Sequence, residues 1–192
     1  MTTWSFRATV TALALTALTA CEDGQGGAFL GGLGSGPNVA LSQATMAFGA
    51  VTLVPPSGFC IDRRSLKQRF ALMARCDKLG APSAAADAPL GIITVSFSAI
   101  ADGAELPTPA HTAQALSLQD VSSLQETENS VVFRANGPSP IEGMASRHWR
   151  ANTRVGDQLM GLALYGPEDG RAVSHEGRDI LLKLIAGSKP AS

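Results

Sequence analysis

The sequence carries few charges, and neither sign is in excess. Charged residues make up 16% of the 192 residues, and the formal net charge is −1. Domains that bind nucleic acid usually show a strong basic excess or a basic stripe. The composition therefore gives no support to a nucleic-acid partner. Hydrophobic residues make up 45%, which is close to the globular average and allows the core of one domain of ordinary size.

The sequence motifs of nucleotide binding and of serine hydrolysis are missing. Seven glycines lie between Gly24 and Gly36, but they have no G-x-G-x-x-G spacing and no Gly-Lys-Ser/Thr follows them. A G-x-S-x-G nucleophile elbow is absent as well. We therefore predict no catalytic residue and no bound cofactor.

The three histidines, His111, His148 and His175, are far apart and have no paired spacing. A zinc-protease helix would need a second histidine four residues after the first, whereas Asp179 stands four residues after His175. Zinc sites need three or four ligands at usable spacing. We therefore predict no metal site.

No apolar run is long enough to span a bilayer, which takes about 20 residues. The longest at the N-terminus, 8–20, is uncharged and follows a short start that carries Arg7. A charged start, a short apolar middle and small residues at the end are typical of a secretory signal peptide. We predict a signal peptide over residues 1–20.

The last residues of this segment, Leu18-Thr19-Ala20-Cys21, resemble the lipobox of bacterial lipoproteins. The resemblance implies that Cys21 receives lipid, including a palmitate-type acyl chain, after cleavage before it. Two or more acyl chains make membrane anchoring stable. The domain would then lie in the cell envelope, on the extracytoplasmic side of either membrane. The alternative is an ordinary secretory peptide with a chance cysteine near the cut.

Residues 21–38 comprise Cys21 and a segment so rich in glycine that it is typical of a flexible tether. We place a single globular domain at residues 39–188. Its apolar, alternating and β-rich stretches predict strands, and capping signals predict two helices. The predicted strands cover 44–54, 59–62, 70–76, 91–97, 130–135, 147–155 and 158–165, and the helices cover 108–118 and 175–187. This order predicts an α+β fold with a mainly antiparallel sheet and a C-terminal helix.

Residues 51–60, Val-Thr-Leu-Val-Pro-Pro-Ser-Gly-Phe-Cys, precede meandering strands and a closing helix. This arrangement resembles the Mog1/PsbP-type α/β sandwich over residues 45–187. The resemblance implies scaffold and assembly roles and no particular chemistry.

Two cysteines remain in the domain, Cys60 and Cys76. An exported protein meets an oxidising compartment, where an even number of cysteines favours a disulfide. Pairing of the strands 59–62 and 70–76 would bring the two residues close together. Two buried thiols are the alternative.

Two groups of basic residues could bind anions. Arg63, Arg64, Lys67, Arg69 and the nearby Arg75 form the densest run, which could meet a lipid headgroup, an anionic polymer or an acidic partner, or be a solvated loop. His148, Arg150 and Arg154 share one side of the strand 147–155, since side chains alternate along a strand. They could form an anion- or partner-binding face with His148 as a proton carrier, or an ordinary polar sheet face.

These observations favour a membrane-anchored envelope lipoprotein with a non-catalytic role in protein binding or assembly. The alternatives are a module that binds a small ligand or anion and, third, a hydrolase. The binding partner would be an envelope protein that the sequence leaves unidentified.

Overall fold

The structure is a computed structural model and describes residues 39–84 and 87–191. The predicted signal peptide, Cys21 and the glycine-rich tether lie outside these residues. Among the described helices, none has the length and apolar character needed to cross a bilayer.

Eight strands form the main sheet. They are β1 (Ala40–Leu41), β4 (Phe59–Asp62), β5 (Phe70–Arg75), β6 (Ile92–Ala99), β7 (Gln119–Thr127), β8 (Ser130–Asn136), β9 (Arg147–Val155) and β10 (Gln158–Tyr165). Their order in the sheet is β1-β4-β5-β6-β10-β9-β8-β7, and every neighbouring pair is antiparallel. The predicted antiparallel α+β fold is confirmed. Strands β9 and β10 form a hairpin across residues 156–157, with Val155 opposite Gln158.

A smaller sheet of three strands lies apart from the main one. It contains β2 (Ala44–Met46), β3 (Val51–Leu53) and β11 (Lys189–Pro190), with β3 in the middle. The prediction of one continuous strand over 44–54 is therefore wrong. Ala47 and Phe48 adopt the left-handed conformation, with φ of 52° and 57°, and Gly49 follows with φ of 96°. This turn folds the segment back, so that its two halves pair with each other.

Two α-helices accompany the sheets, α1 (Pro109–Leu116) and α2 (His175–Gly187). Both begin at a side-chain cap, as Thr108 Oγ1 accepts from the His111 amide and Ser174 Oγ accepts from the Glu176 amide. Helix α2 has the predicted bounds, and Ser188 follows its last turn. The Ser188 hydroxyl donates to the Leu184 carbonyl at 2.9 Å.

The inner face of the main sheet carries the apolar core. Along β9, Trp149, Ala151 and Val155 enter this core, where they meet Leu181 and Leu184 of α2. The core is closed by α2 and by residues of the smaller sheet. The outer face is covered only in part, and α1 packs there against β8 through a separate small cluster around Phe133.

The disulfide between Cys60 and Cys76 is present, with a Cα–Cα distance of 4.9 Å. Strands β4 and β5 pair so that Cys60 faces Ala74, and Cys76 follows directly after β5. A crosslink of this loop length stabilises the fold by about 3 kcal/mol on the chain-entropy model.

Strand β7 was not predicted. Nearly all its residues are exposed, and its sequence, Gln-Asp-Val-Ser-Ser-Leu-Gln-Glu-Thr, has no regular apolar alternation. Two register shifts interrupt its pairing with β8, and Asp120 and Ser123 have positive φ. An irregular edge strand of this kind resists pairing with other chains.

Candidate functional site

Strand β9 places polar side chains on the outer face of the main sheet. His148 and Arg150, two of the three residues predicted to share a face, are in direct contact there. The Nε–H of Arg150 donates to His148 Nε2 at 2.9 Å, and Nη2 donates to the hydroxyl of Tyr165 at 2.9 Å. The His148 and Tyr165 rings also stack, with centroids 4.5 Å apart. We call His148, Arg150 and Tyr165 the arginine cluster.

His148 is fully buried, with 0% of its surface exposed. Its Nδ1 lies 2.8 Å from the Ser146 carbonyl, which can only accept, so the hydrogen bonds assign the proton to Nδ1 and leave Nε2 as the acceptor for Arg150. Burial lowers the pKa of His148 to about 4, and the charge of Arg150 adds to the decrease. His148 is therefore a neutral imidazole with both ring nitrogens in hydrogen bonds. It can orient Arg150, so we interpret His148 as a positioning residue.

Arg150 is half-buried, and its partners are both neutral groups. Burial lowers the pKa of its guanidinium. Over the described residues, no carboxylate pairs with it, whereas four other arginines have such partners. The pairs are Arg64 with Asp62, Arg75 with Asp77, Arg171 with Asp87 and Glu176, and Arg178 with Asp179. A half-buried cation without a counter-ion is costly, because desolvation is not offset by an opposite charge.

Arg154, the third predicted residue, is not part of the arginine cluster. It lies four residues further along β9, which is about 13 Å in a strand. Its guanidinium donates to the carbonyls of Ala101 and Ala104 and so holds the segment after β6. The structure gives Arg154 a structural role beside a different surface.

A cleft of about 330 Å³ opens on the outer face beside Arg150. Strands β6, β9 and β10 form its floor, and Thr112 and Leu116 of α1 line one side. Gly161 leaves room in the floor, since a Cβ there would lie 3.0 Å from Ser96 Oγ. The polar lining of the cleft consists of hydroxyl, amide and guanidinium groups. They belong to Thr94, Ser96, Ser98, Thr112, Asn152 and Arg150.

The lining of this cleft has no acidic side chains, in contrast to three other depressions on the described surface. Those three depressions, of 310–380 Å³, each combine arginine with carboxylates. Arg154 lies with Glu105, Glu126 and Glu128, Arg171 with Asp87, and Arg134 with Asp120. The lining beside Arg150 contains no Asp or Glu. The positive charge of Arg150 therefore has no acidic counterpart in the lining of this cleft.

Asn152 links the cleft to helix α1. Its Nδ2 donates to Thr112 Oγ1 at 2.8 Å and to the Pro107 carbonyl at 3.3 Å. The side of the cleft formed by α1 is thereby fixed to the strand that carries Arg150.

Sequence reasoning missed Tyr165, Asn152 and Gly161 as residues of this site. A usable signal existed for Tyr165. In a hairpin with Val155 opposite Gln158, position 165 falls next to position 148. Asn152 lies on the same face as Arg150 by alternation, but its contacts with Thr112 and Pro107 arise from a distant segment.

The other two histidines are exposed. His111 lies on α1 and His175 begins α2. Asp179, which shares α2 with His175, forms an ion pair with Arg178. Within the described residues, no group of three His, Cys, Asp or Glu side chains is placed to hold a metal ion.

Comparison with solved structures found a likeness to a protein of known fold. The solution structure of cyanobacterial PsbP (CyanoP) from Synechocystis sp. PCC 6803 matches with a TM-score of 0.39 and 10% sequence identity, over 82% of this chain and 95% of that chain. That protein has the PsbP-type α/β fold to which the sequence was compared above. No protein-family model and no curated protein sequence matches the chain.

Proposed function

We propose that the protein is a lipid-anchored protein of the cell envelope whose domain binds an acidic group of a partner, without catalysis, in the cleft beside Arg150. The observation that carries this proposal is the half-buried guanidinium of Arg150, which has no carboxylate partner among the described residues. A carboxylate from outside the domain would supply the missing counter-charge.

The arginine cluster is suited to present Arg150 to such a group. A guanidinium has five N–H donors, and His148 and Tyr165 occupy two of them. Three donors remain for a ligand, which is enough for the bidentate geometry that arginine prefers with carboxylates. The hydroxyls of Ser96 and Thr112 offer further hydrogen bonds at the same cleft. The arrangement orients a cation, and it provides no nucleophile beside a free base.

A partner protein with an exposed acidic side chain or chain terminus is the first candidate ligand. Leu116, at the side of the cleft, is exposed and would contact a surface around the acidic group. A small anionic molecule is the second candidate, because a volume of 330 Å³ falls within the range of small-molecule sites, roughly 300–1,000 Å³.

Lipid anchoring rests on the lipobox resemblance of Leu18-Thr19-Ala20-Cys21 and on the glycine-rich segment after it. The disulfide between Cys60 and Cys76 supports export, since disulfides persist in oxidising compartments and are rare in the cytosol.

The cleft can be tested by site-specific photo-crosslinking in cells from position 116. We expect a discrete adduct with another protein, at least tenfold weaker in Arg150→Gln and unchanged in Arg147→Gln, which removes an exposed arginine near the start of β9. Gly161→Ala, which narrows the floor while keeping Arg150, should also weaken the adduct.

Titration of the purified domain with acetate, followed by amide chemical shifts, separates the two ligand classes. Shifts around Arg150 without a protein adduct would favour the small anion. An adduct that persists in both cleft variants, or the absence of both adduct and shifts, would contradict the proposed site. Circular dichroism of each variant controls for folding.

The anchor is tested by metabolic labelling with radioactive palmitate. The wild-type chain should take up label and remain with the membranes, and Cys21→Ser should lose the label and leave the membrane fraction or remain unprocessed. A Cys21→Ser variant that keeps partitioning into detergent like the wild type would overturn the anchor.

A further inference from the structure

Phe48 is the most exposed of the large apolar side chains described, with 70% of its surface open to solvent. Its backbone is left-handed, with φ of 57° and ψ of 34°, directly after Ala47 in the same region. Bulky residues rarely adopt this conformation, which costs free energy in most contexts. The fold thus holds an aromatic ring outside its core on a strained turn, and strained turns of this kind cluster at functional sites.

Basic side chains lie in the segment that contacts this turn. The Arg69 guanidinium lies 5.1 Å from the centroid of the Phe48 ring. The Ala47 amide donates to the Gln68 carbonyl at 2.7 Å, which fixes the turn to the segment before β5. Lys67 is exposed in the same segment. We call Phe48, Lys67 and Arg69 the Phe48 patch.

The segment from Val39 to Arg75 carries a positive net charge. Asp62 is the only acidic residue between Val39 and Arg75, and it is buried and paired with Arg64. Arg63, Lys67 and Arg69 form no ion pair with any described residue. An exposed aromatic ring among unpaired cations matches the chemistry of a surface that carries anionic headgroups above an apolar layer.

The entry point of the chain lies in the same region. The Val39 carbonyl accepts from the Arg63 amide at 3.0 Å, so the segment from Cys21 joins the domain beside the basic residues. The 18 residues from Cys21 to Asn38 would span at most about 60 Å if fully extended and about 24 Å if the segment behaves as a flexible chain. A domain on such a tether has a high effective concentration at the membrane surface.

We infer that the Phe48 patch is a second membrane contact, in which the Phe48 ring enters the headgroup region of anionic lipids while Lys67 and Arg69 face the phosphates. This inference rests on the proposed lipid anchor for its biological setting. The contact would orient the domain with the Phe48 turn toward the bilayer. The patch itself can be measured without the anchor.

The test uses the chain from residue 21 onward with Cys21→Ser, so that no lipid contributes to binding. It is sedimented with vesicles of phosphatidylglycerol and phosphatidylcholine at 1:3, and with vesicles of phosphatidylcholine alone. We expect binding to the anionic vesicles that is at least fivefold weaker on the neutral ones and that decreases at 0.5 M salt.

Phe48→Asn is the decisive variant, because asparagine tolerates left-handed backbone better than phenylalanine does. It should fold with equal or higher thermal stability and still lose most vesicle binding, whereas a purely structural role would lower stability. Arg69→Gln should weaken binding as well. The matched controls change an exposed apolar residue and an exposed arginine outside the Phe48 patch. They are Leu124→Ser on the edge strand β7, where Leu124 is 52% exposed, and Arg147→Gln on β9.

Vesicle binding that is absent, or that survives Phe48→Asn and Arg69→Gln unchanged, would overturn the inference. Palmitate labelling of the wild type reports on the anchor separately. A labelled wild type whose Cys21→Ser form ignores vesicles disproves the patch alone, and an unlabelled wild type with Phe48-dependent vesicle binding disproves the anchor alone.

Discussion

The two faces of the main sheet differ although they are made by the same strands. Along β9, Trp149 and Ala151 enter a core that is sealed by α2, and Arg150 and Asn152 point the other way toward a cleft that is only partly covered by α1. The inner face is filled by large apolar side chains. On the outer face, small apolar clusters lie beside polar groups whose hydrogen bonds reach into loops and into α1.

Neighbouring residues of one strand therefore contribute in different ways. Residues of the inner face gain from removal of apolar surface from water, and their loss leaves cavities. Arg150 gains no comparable packing, and its charge is incompletely compensated by the domain. We therefore expect inner-face changes to unfold the protein and outer-face changes to alter binding.

The largest effect is expected from a matched pair on strand β10. Leu164 has 0% exposure on the inner face, opposite Trp149, and Leu159 is half-buried on the outer face at the cleft. Leu164→Ala should lower the free energy of unfolding by about 2–5 kcal/mol, whereas Leu159→Ala should cost about 1 kcal/mol or less. Urea denaturation of both variants measures the difference. Equal losses would show that the outer face is as important for stability as the core.

A smaller effect is expected from pH, through His148 on the outer face. Its pKa is about 4 in the folded protein, against 6.5 for the free side chain. Because the folded pKa is depressed, the neutral His148 contributes its full stability above pH 6.5, and that stability is lost as the pH falls toward 4. The loss is about 1.4 kcal/mol per pH unit within this window, or about 3 kcal/mol in total.

The groups that face His148 explain why its pKa is lowered and not raised. Arg150 places a positive charge at Nε2, and Tyr165 stacks on the ring, so a protonated imidazole would lose its hydrogen bond and meet a like charge. Urea midpoints at pH 7, 6, 5 and 4.5 should fall for the wild type and stay nearly level for His148→Gln. The carboxylates Asp77 and Asp87, whose pKa values are lowered from 3.8, act below this window. A flat wild-type profile would contradict the buried neutral histidine.

Local patterns predicted much of the fold. The strand Phe59–Asp62 has the predicted bounds, and β9 and β10 do too, because alternation and turn residues lie close together in sequence. The start of α2 at His175 was also predicted, since its cap Ser174 acts within three residues. Helix α1 was predicted from residue 108, whereas Thr108 is its cap and the helix begins at Pro109. The predicted pairing of 59–62 with 70–76 placed Cys60 near Cys76, as observed.

The missed elements lacked such local signals. Strand β7 pairs along β8 but buries almost nothing, so its composition is that of a loop. The turn at Ala47 and Phe48 uses residues that ordinarily avoid positive φ, and only the pairing of β2 with β3 explains it. In both cases the backbone conformation follows from contacts with neighbouring strands.

The sequence by itself determined that His148, Arg150 and Arg154 share a face, because side chains alternate along a strand. It also determined which cysteines could pair. Only the tertiary structure decided that Arg154 is held by the loop after β6 while Arg150 meets Tyr165 at a cleft without acids. Charge compensation and burial depend on segments that are far apart in the chain, so they can be judged only once folding has brought those segments together.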